Sequence, residues 1–137
     1  MEPFRHSFRV RYAEVDPQSV VFNSRYLEYA DLLISEYFRA CRARGLPEEA
    51  QFHVRRAEVD YLAPIRFDEL IEGRLTIEAV GRTSMTVHIA LFGEQDDRRA
   101  EVRIVSVHVD LDSGRPVPIT DAMRRAFGVP AGETTNG

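Results

Sequence analysis

The chain has 137 residues, 44% hydrophobic and 29% charged, with a formal net charge of −4. That balance fits one soluble globular domain with a buried core; it argues against a disordered chain, a general nucleic-acid binder with a basic face, and a membrane span of about 18 apolar residues. Cys41 is the single cysteine, so no internal disulfide can form, and with no apolar leader at the N-terminus a reducing cytoplasm is the expected compartment.

Phe4, His6, Phe8, Val10 and Tyr12 alternate with Arg5, Ser7, Arg9 and Arg11, a period of two that predicts a half-buried strand. Asp16-Pro17 ends it, because proline has no N–H for a ladder and biases the preceding residue away from the α region; Gln18-Ser19 completes a loop. Asn23 or Ser24 is the expected N-cap of a long helix. Tyr26, Leu27, Ala30, Leu33, Ile34, Tyr37, Phe38 and Cys41 then recur as one apolar stripe on a 3.6-residue period. Glu28 and Asp31 sit early and Arg39 and Arg42 late, as the helix dipole prefers, and Gly45 and Pro47 mark the stop. About 20 residues make a helix of roughly 30 Å, which needs a whole sheet to lie on.

The rest supplies that sheet. Residues 52 to 63 read as a strand, Pro64 to Asp68 as a turn, and Ile71, Leu75, Ile77 and Ala79 as the inner face of a second strand. After a turn at Gly81-Arg82, Met85, Val87, Ile89 and Leu91 alternate with polar neighbours. A polar turn follows at 93–99, then a strand over 100–111 with Val105, Val107, Val109 and Leu111 on one face. Asp121 to Phe127 reads as a short capped helix and 131–137 as a frayed tail, which leaves one domain over 1–130. Short links between consecutive strands imply antiparallel pairing. The fold class is therefore α+β: one long helix wrapped by a five-stranded antiparallel sheet. The other face of that sheet would be open, which favours self-association.

Few residues carry chemistry. Asp16 is a carboxylate in a tight loop a few residues before a helix start, where free N–H groups suit a carbonyl oxygen that must carry negative charge. Its plainer reading is an Asx-turn before Pro17. Tyr12 reads as core packing at the end of an apolar face, and Arg82 as a solvated turn residue. His6, His53, His88 and His108 show no metal-ligand spacing and no cysteine pair joins them, so no metal site is expected. No Gly-x-Ser-x-Gly elbow or phosphate-cradling glycine loop is present, and Cys41 falls on the apolar helix face.

The run from Val10 to Tyr26, VRYAEVDPQSVVFNSRY, resembles the signature of the hotdog-fold acyl-CoA thioesterases of the 4-hydroxybenzoyl-CoA thioesterase type. DYLAPIRFD at 60–68, VGRTS at 80–84 and GRPVP at 114–118 match the same family in the same order. The resemblance implies a hotdog fold, homodimers or homotetramers with active sites at the subunit interface, and an acyl-CoA substrate with no metal or other cofactor. It implies Asp16 as the catalytic carboxylate, the backbone N–H of Asn23 as the group polarising the thioester carbonyl, and Tyr12 beside them. Arg82, Thr83 and Ser84 match the segment near the coenzyme A arm, with Tyr26 and Arg66 as further substrate contacts. Ser19 stands where relatives usually have glycine. Cleavage of acyl-carrier-protein thioesters and non-catalytic acyl-CoA binding are the alternative activities; a dehydratase is disfavoured because residues 13–29 contain no histidine.

Overall fold

In the computed structural model, which describes residues 2–129, the N-terminal alternation forms strand β1 (Phe4–Arg9) and stops there. Tyr12–Glu14 is a short 3-10 helix rather than the end of the strand. The cause is Glu14, which is buried and accepts hydrogen bonds from the Arg11 backbone N–H at 2.8 Å and from its guanidinium Nε at 3.1 Å, turning the chain back on itself.

Helix α1 (Arg25–Arg42) buries Tyr26, Tyr29, Ala30, Leu33, Tyr37 and Cys41. This shifts the expected stripe: Leu27 is exposed, and Tyr29 is buried because its hydroxyl donates to Glu14 Oε1 at 2.9 Å. After the helix, Gly45 takes φ +99°, and the N–H groups of Gly45 and Leu46 close onto the carbonyls of Arg42 and Cys41 at 3.1 and 3.0 Å.

Strands β2 (Phe52–Tyr61), β3 (Leu70–Val80), β4 (Ser84–Phe92) and β5 (Arg98–His108) join β1 in one antiparallel sheet of order β1-β3-β4-β5-β2. β2 and β3 follow each other in the chain but are not neighbours in the sheet, so the expectation that each short link joins a pair fails at this step. The link between them, with Pro64 in it, runs past the Asp16 loop and bonds to it instead, the Val21 N–H donating to Ile65 O at 2.8 Å. On β5 the more buried face is Ala100, Val102, Ile104, Ser106 and His108 rather than the Val105 face, and Leu111, past the strand end, is exposed. β2, at the sheet edge, is exposed along most of its ten residues. Helix α2 (Asp121–Ala126) is capped by Thr120, whose Oγ1 accepts from the Met123 N–H at 3.2 Å.

The packing divides into two compact units. The first holds the residues up to Glu36, Glu58–Thr76 and His88–Arg103. Its core centres on Leu33, which lies directly over Gly73 of β3: a Cβ built at position 73 would come within 2.6 Å of the leucine side chain. The second holds Tyr37–Ala57, Ile77–Val87 and the chain from Ile104 onward. Phe38, Phe52 and Phe127 pack there with ring centroids 5.6–6.1 Å apart, and buried Arg124 donates to Gly81 O at 2.7 Å. Cys41 is fully buried in this unit, and burial pushes its thiol pKa up. Among the described residues no helix is long and apolar enough to cross a membrane. The expected tail at 131–137 lies outside the described residues.

Candidate active site

The loop that carries Asp16 is closed by its own backbone. Val15 and Val21 form an antiparallel bridge, the Asp16 N–H donates to Val20 O at 2.8 Å, and the Ser19 N–H donates to Asp16 O at 2.9 Å. This geometry requires a left-handed residue, and Ser19 adopts it at φ +63°. Serine therefore makes the turn that glycine would make, at a conformational cost of about 1–2 kcal/mol. The loop is tied on both sides. Val20 bridges Arg66, and the Phe67 N–H donates to Ser19 O at 3.2 Å. The turn carrying Arg66 and Phe67 is in turn gripped by Arg99, which donates to the Glu69 carboxylate at 2.6 and 2.8 Å and to Pro64 O at 2.8 Å.

Asp16 does make the Asx-turn: its Oδ1 accepts from the N–H of Gln18 at 2.8 Å and of Val20 at 3.4 Å. That uses one oxygen. Oδ2 has no hydrogen-bond partner among the described residues, and the half-buried side chain lines a groove of about 490 Å³ with Ala13, Pro17, Phe22, Ser24 and Arg25. The carboxylate and the start of α1 thus share one concavity. At that start the Phe22 carbonyl accepts from the Arg25 N–H at 2.9 Å, and the Asn23 carbonyl from the Tyr26 N–H at 3.4 Å. The N–H groups of Asn23 and Ser24 have no acceptor among the described residues. Neither side chain caps the first turn by a hydrogen bond, contrary to expectation, so donors are left for an incoming oxygen.

The other expected residues separate. Tyr12 is not core: it is 78% exposed and meets Phe67 edge-on, ring centroids 5.6 Å apart. Tyr26 is only 4% exposed and packs edge-on against Tyr61 at 4.8 Å, beneath the surface rather than on it. Arg66 is exposed beside the loop. Arg82, Thr83 and Ser84 belong to the second unit, at the β3–β4 turn, where the carbonyls of Arg82 and Thr83 accept from the N–H groups of Ile119 at 2.8 Å and His108 at 2.7 Å. Ser84 is buried, whereas Arg82 is exposed and no hydrogen bond engages its guanidinium among the described residues.

Three groups at the site were not singled out from sequence. Glu14 ties the loop to α1 through Tyr29. Arg25, a cation in the first helical turn where the dipole disfavours it, is offset by Glu28 at 3.0 Å and donates to Ala13 O at 3.2 Å. The Tyr61 hydroxyl donates to Asn23 O at 3.0 Å. Only Arg25 left a local signal, a basic residue at an N-terminus. Among the described residues no group of three or more His, Cys, Asp or Glu side chains is arranged to hold a metal ion.

Burial alone would push the Glu14 pKa up, but hydrogen bonds from the Arg11 N–H and the Tyr29 hydroxyl, with the Arg11 charge, outweigh it and hold the carboxyl below its usual 4.5. Arg99 does the same for Glu69, and Arg74 for Glu72. A carboxylate whose pKa is lower folded than unfolded stabilises fully above the unfolded value and loses that contribution as pH falls through the folded one. The melting temperature is therefore expected to hold from pH 7 to about 5 and to drop below about 4.5, read by thermal melts across pH. A melting temperature unchanged down to pH 3 would contradict the account.

A family model described as the thioesterase superfamily matches residues 18–100, more than half of the chain. The chain belongs to the thioesterase superfamily. As a member it is a thioester hydrolase of hotdog fold. The matched stretch takes in Asn23 and Arg82–Ser84 and begins two residues after Asp16. This thioesterase is 27% identical over 129 residues to the acyl-CoA thioesterase YbgC of Haemophilus influenzae, covering 90% of this chain and 93% of the relative. It is 26% identical over 110 residues to the acyl-CoA thioester hydrolase YbgC of Escherichia coli, covering 78% and 82%. Among solved structures, a thioesterase from Thermus thermophilus, crystallised with coenzyme A and Zn, superposes with a TM-score of 0.81 at 28% identity, covering 93% of this chain and 98% of that one.

Proposed function

We propose that the protein hydrolyses acyl-CoA thioesters to a free acid and coenzyme A, with Asp16 as the catalytic carboxylate and the amide end of α1 as the oxyanion site. One observation carries this reading: Asp16, whose Oδ2 has no hydrogen-bond partner among the described residues, lines the same groove as Ser24 and Arg25 at the start of α1, where the Asn23 and Ser24 N–H groups have no acceptor among the described residues. In one route Asp16 takes a proton from water as its oxygen attacks the thioester carbon. In the other the carboxylate attacks directly, forming a mixed anhydride that water then opens. In both, the tetrahedral oxyanion is held by the helix-start amides and collapse expels the coenzyme A thiolate, which then takes up a proton. Neither route calls for a metal or organic cofactor.

Coenzyme A carries several phosphate charges, and in a chain of net charge −4 the exposed Arg82 is the guanidinium we assign to them, Arg66 beside the Asp16 loop being the weaker alternative. On the first unit exposed Phe22 lines the groove and exposed Tyr12 and Phe67 meet edge-on, apolar surface that suits an acyl chain covered by a second subunit. β2, an exposed edge strand, is the element through which two copies would pair as a homodimer, or a homotetramer built from it. With its one cysteine buried, the chain suits a reducing compartment such as the cytoplasm.

The test is thiol release from acetyl-, hexanoyl-, palmitoyl- and benzoyl-CoA, beside the same acyl groups on acyl carrier protein. Faster release from the CoA esters is expected. Faster cleavage of the carrier-protein esters would move the substrate class, and tight acyl-CoA binding with no thiol released would make the protein a carrier.

A further inference from the structure

We propose that Tyr61 is a positioning residue for thioester polarisation, acting through the peptide that joins Asn23 to Ser24. The inference rests on the oxyanion site proposed above and deepens it. A peptide is planar, and in the trans form its C=O and N–H point in opposite directions. Holding the Asn23 carbonyl therefore aims the Ser24 N–H, just as holding the Phe22 carbonyl aims the Asn23 N–H. The Phe22 carbonyl is held by the Arg25 N–H at 2.9 Å. The Asn23 carbonyl has only a long 3.4 Å bond from the Tyr26 N–H within the helix, and its short bond, 3.0 Å, comes from the Tyr61 hydroxyl at the end of β2.

Tyr61 is 54% exposed but supported on one side. Its ring meets the buried Tyr26 ring edge-on at 4.8 Å, an interplanar angle of 78°. The hydroxyl thus arrives on a supported ring and clamps the second of two consecutive peptide planes. With both planes clamped, the dihedrals of Asn23 are set and the two unpartnered N–H groups present a fixed pair of donors. The hydrogen bond also polarises the amide whose N–H it aims, strengthening that donor. Oxyanion stabilisation depends on donors already oriented where charge develops, so a clamp on the donor peptide bears on the transition state more than on the bound ester.

The experiment compares wild type, Tyr61→Phe and Asp16→Asn on acetyl-, hexanoyl- and benzoyl-CoA. Tyr61→Phe keeps the ring against Tyr26 and removes only the donor. Its kcat is expected to fall about tenfold with KM within about twofold. In the Asp16→Asn background, where the ester stays intact, the thioester carbonyl stretch of bound benzoyl-CoA is expected to shift less to low frequency when Tyr61→Phe is added. A raised KM with unchanged kcat overturns the proposal and makes Tyr61 a binding contact. So does a loss explained by less folded protein at unchanged kcat per folded subunit. If wild type hydrolyses none of the three esters, the proposed function fails and takes this inference with it. If Asp16→Asn is inactive while Tyr61→Phe matches wild type, the Tyr61 inference alone fails.

Discussion

Asp16→Asn is expected to fold like wild type and to lose at least about 100-fold in kcat, roughly 2.7 kcal/mol of transition-state stabilisation. The substitution is clean because of how Asp16 is bonded. Its Oδ1 accepts the Gln18 and Val20 N–H groups, and an asparagine amide oxygen can accept the same two bonds. The Asx-turn therefore survives, and the melting temperature should stay within about 3 °C. What is lost is the negative charge: an amide neither takes a proton from water nor forms an anhydride. Asp16→Ala is a worse probe, because it removes the turn with the carboxylate. The measurement is thiol release under saturating acyl-CoA beside a thermal melt. Turnover by Asp16→Asn within about threefold of wild type would remove Asp16 from the chemistry.

The largest expected effect on stability is at the contact between α1 and β3. Leu33 is fully buried, and Leu33→Ala should cost about 2–5 kcal/mol, the lost transfer energy plus a cavity. Gly73→Ala should cost about 1–3 kcal/mol for the opposite reason, because its new Cβ would lie 2.6 Å from the leucine side chain. The double variant is the informative one. With the leucine gone, the methyl at position 73 enters the vacated space, so the pair should be less destabilised than the sum of the singles by about 1 kcal/mol or more. Denaturant melts of the four proteins give the coupling. Strict additivity would mean that the helix lifts off Gly73 in the single variant.

The long helix, the five strands and the Asp16 loop were legible because their signals are local: a 3.6-residue stripe, alternation, and an Asp-Pro step. The misreadings came from partners distant in the chain. Tyr29 looks like a borderline residue until Glu14, 15 positions earlier, supplies an acceptor for its hydroxyl. Leu27 belongs to the core by its type, yet the buried stripe runs through Tyr26, Tyr29 and Ala30. On β5 the alternation of Val105, Val107, Val109 and Leu111 mimics a core face, although Arg99, Glu101 and Arg103 precede Val105 on the same face. That β2 lies at the edge beside β5 depends on pairing between residues as far apart as Leu62 and Arg99. At the site, the resemblance brought Asp16 and Asn23 forward as a pair; Asp16 lines a groove with Ser24 and Arg25 at the helix start. Tyr61 lies 38 residues from the carbonyl it holds, and although it stands in the DYLAPIRFD match, nothing local to it points to Asn23.

Cys41, the only thiol in the chain, is sealed in the second unit with Arg44 Nη2 3.1 Å from its sulfur. A thiol-reactive dye such as dithiobis-nitrobenzoate should find nothing to label on native protein. Colour developing in an assay then counts coenzyme A alone, and one further equivalent per chain, appearing after denaturant is added, reports how much of the sample was intact.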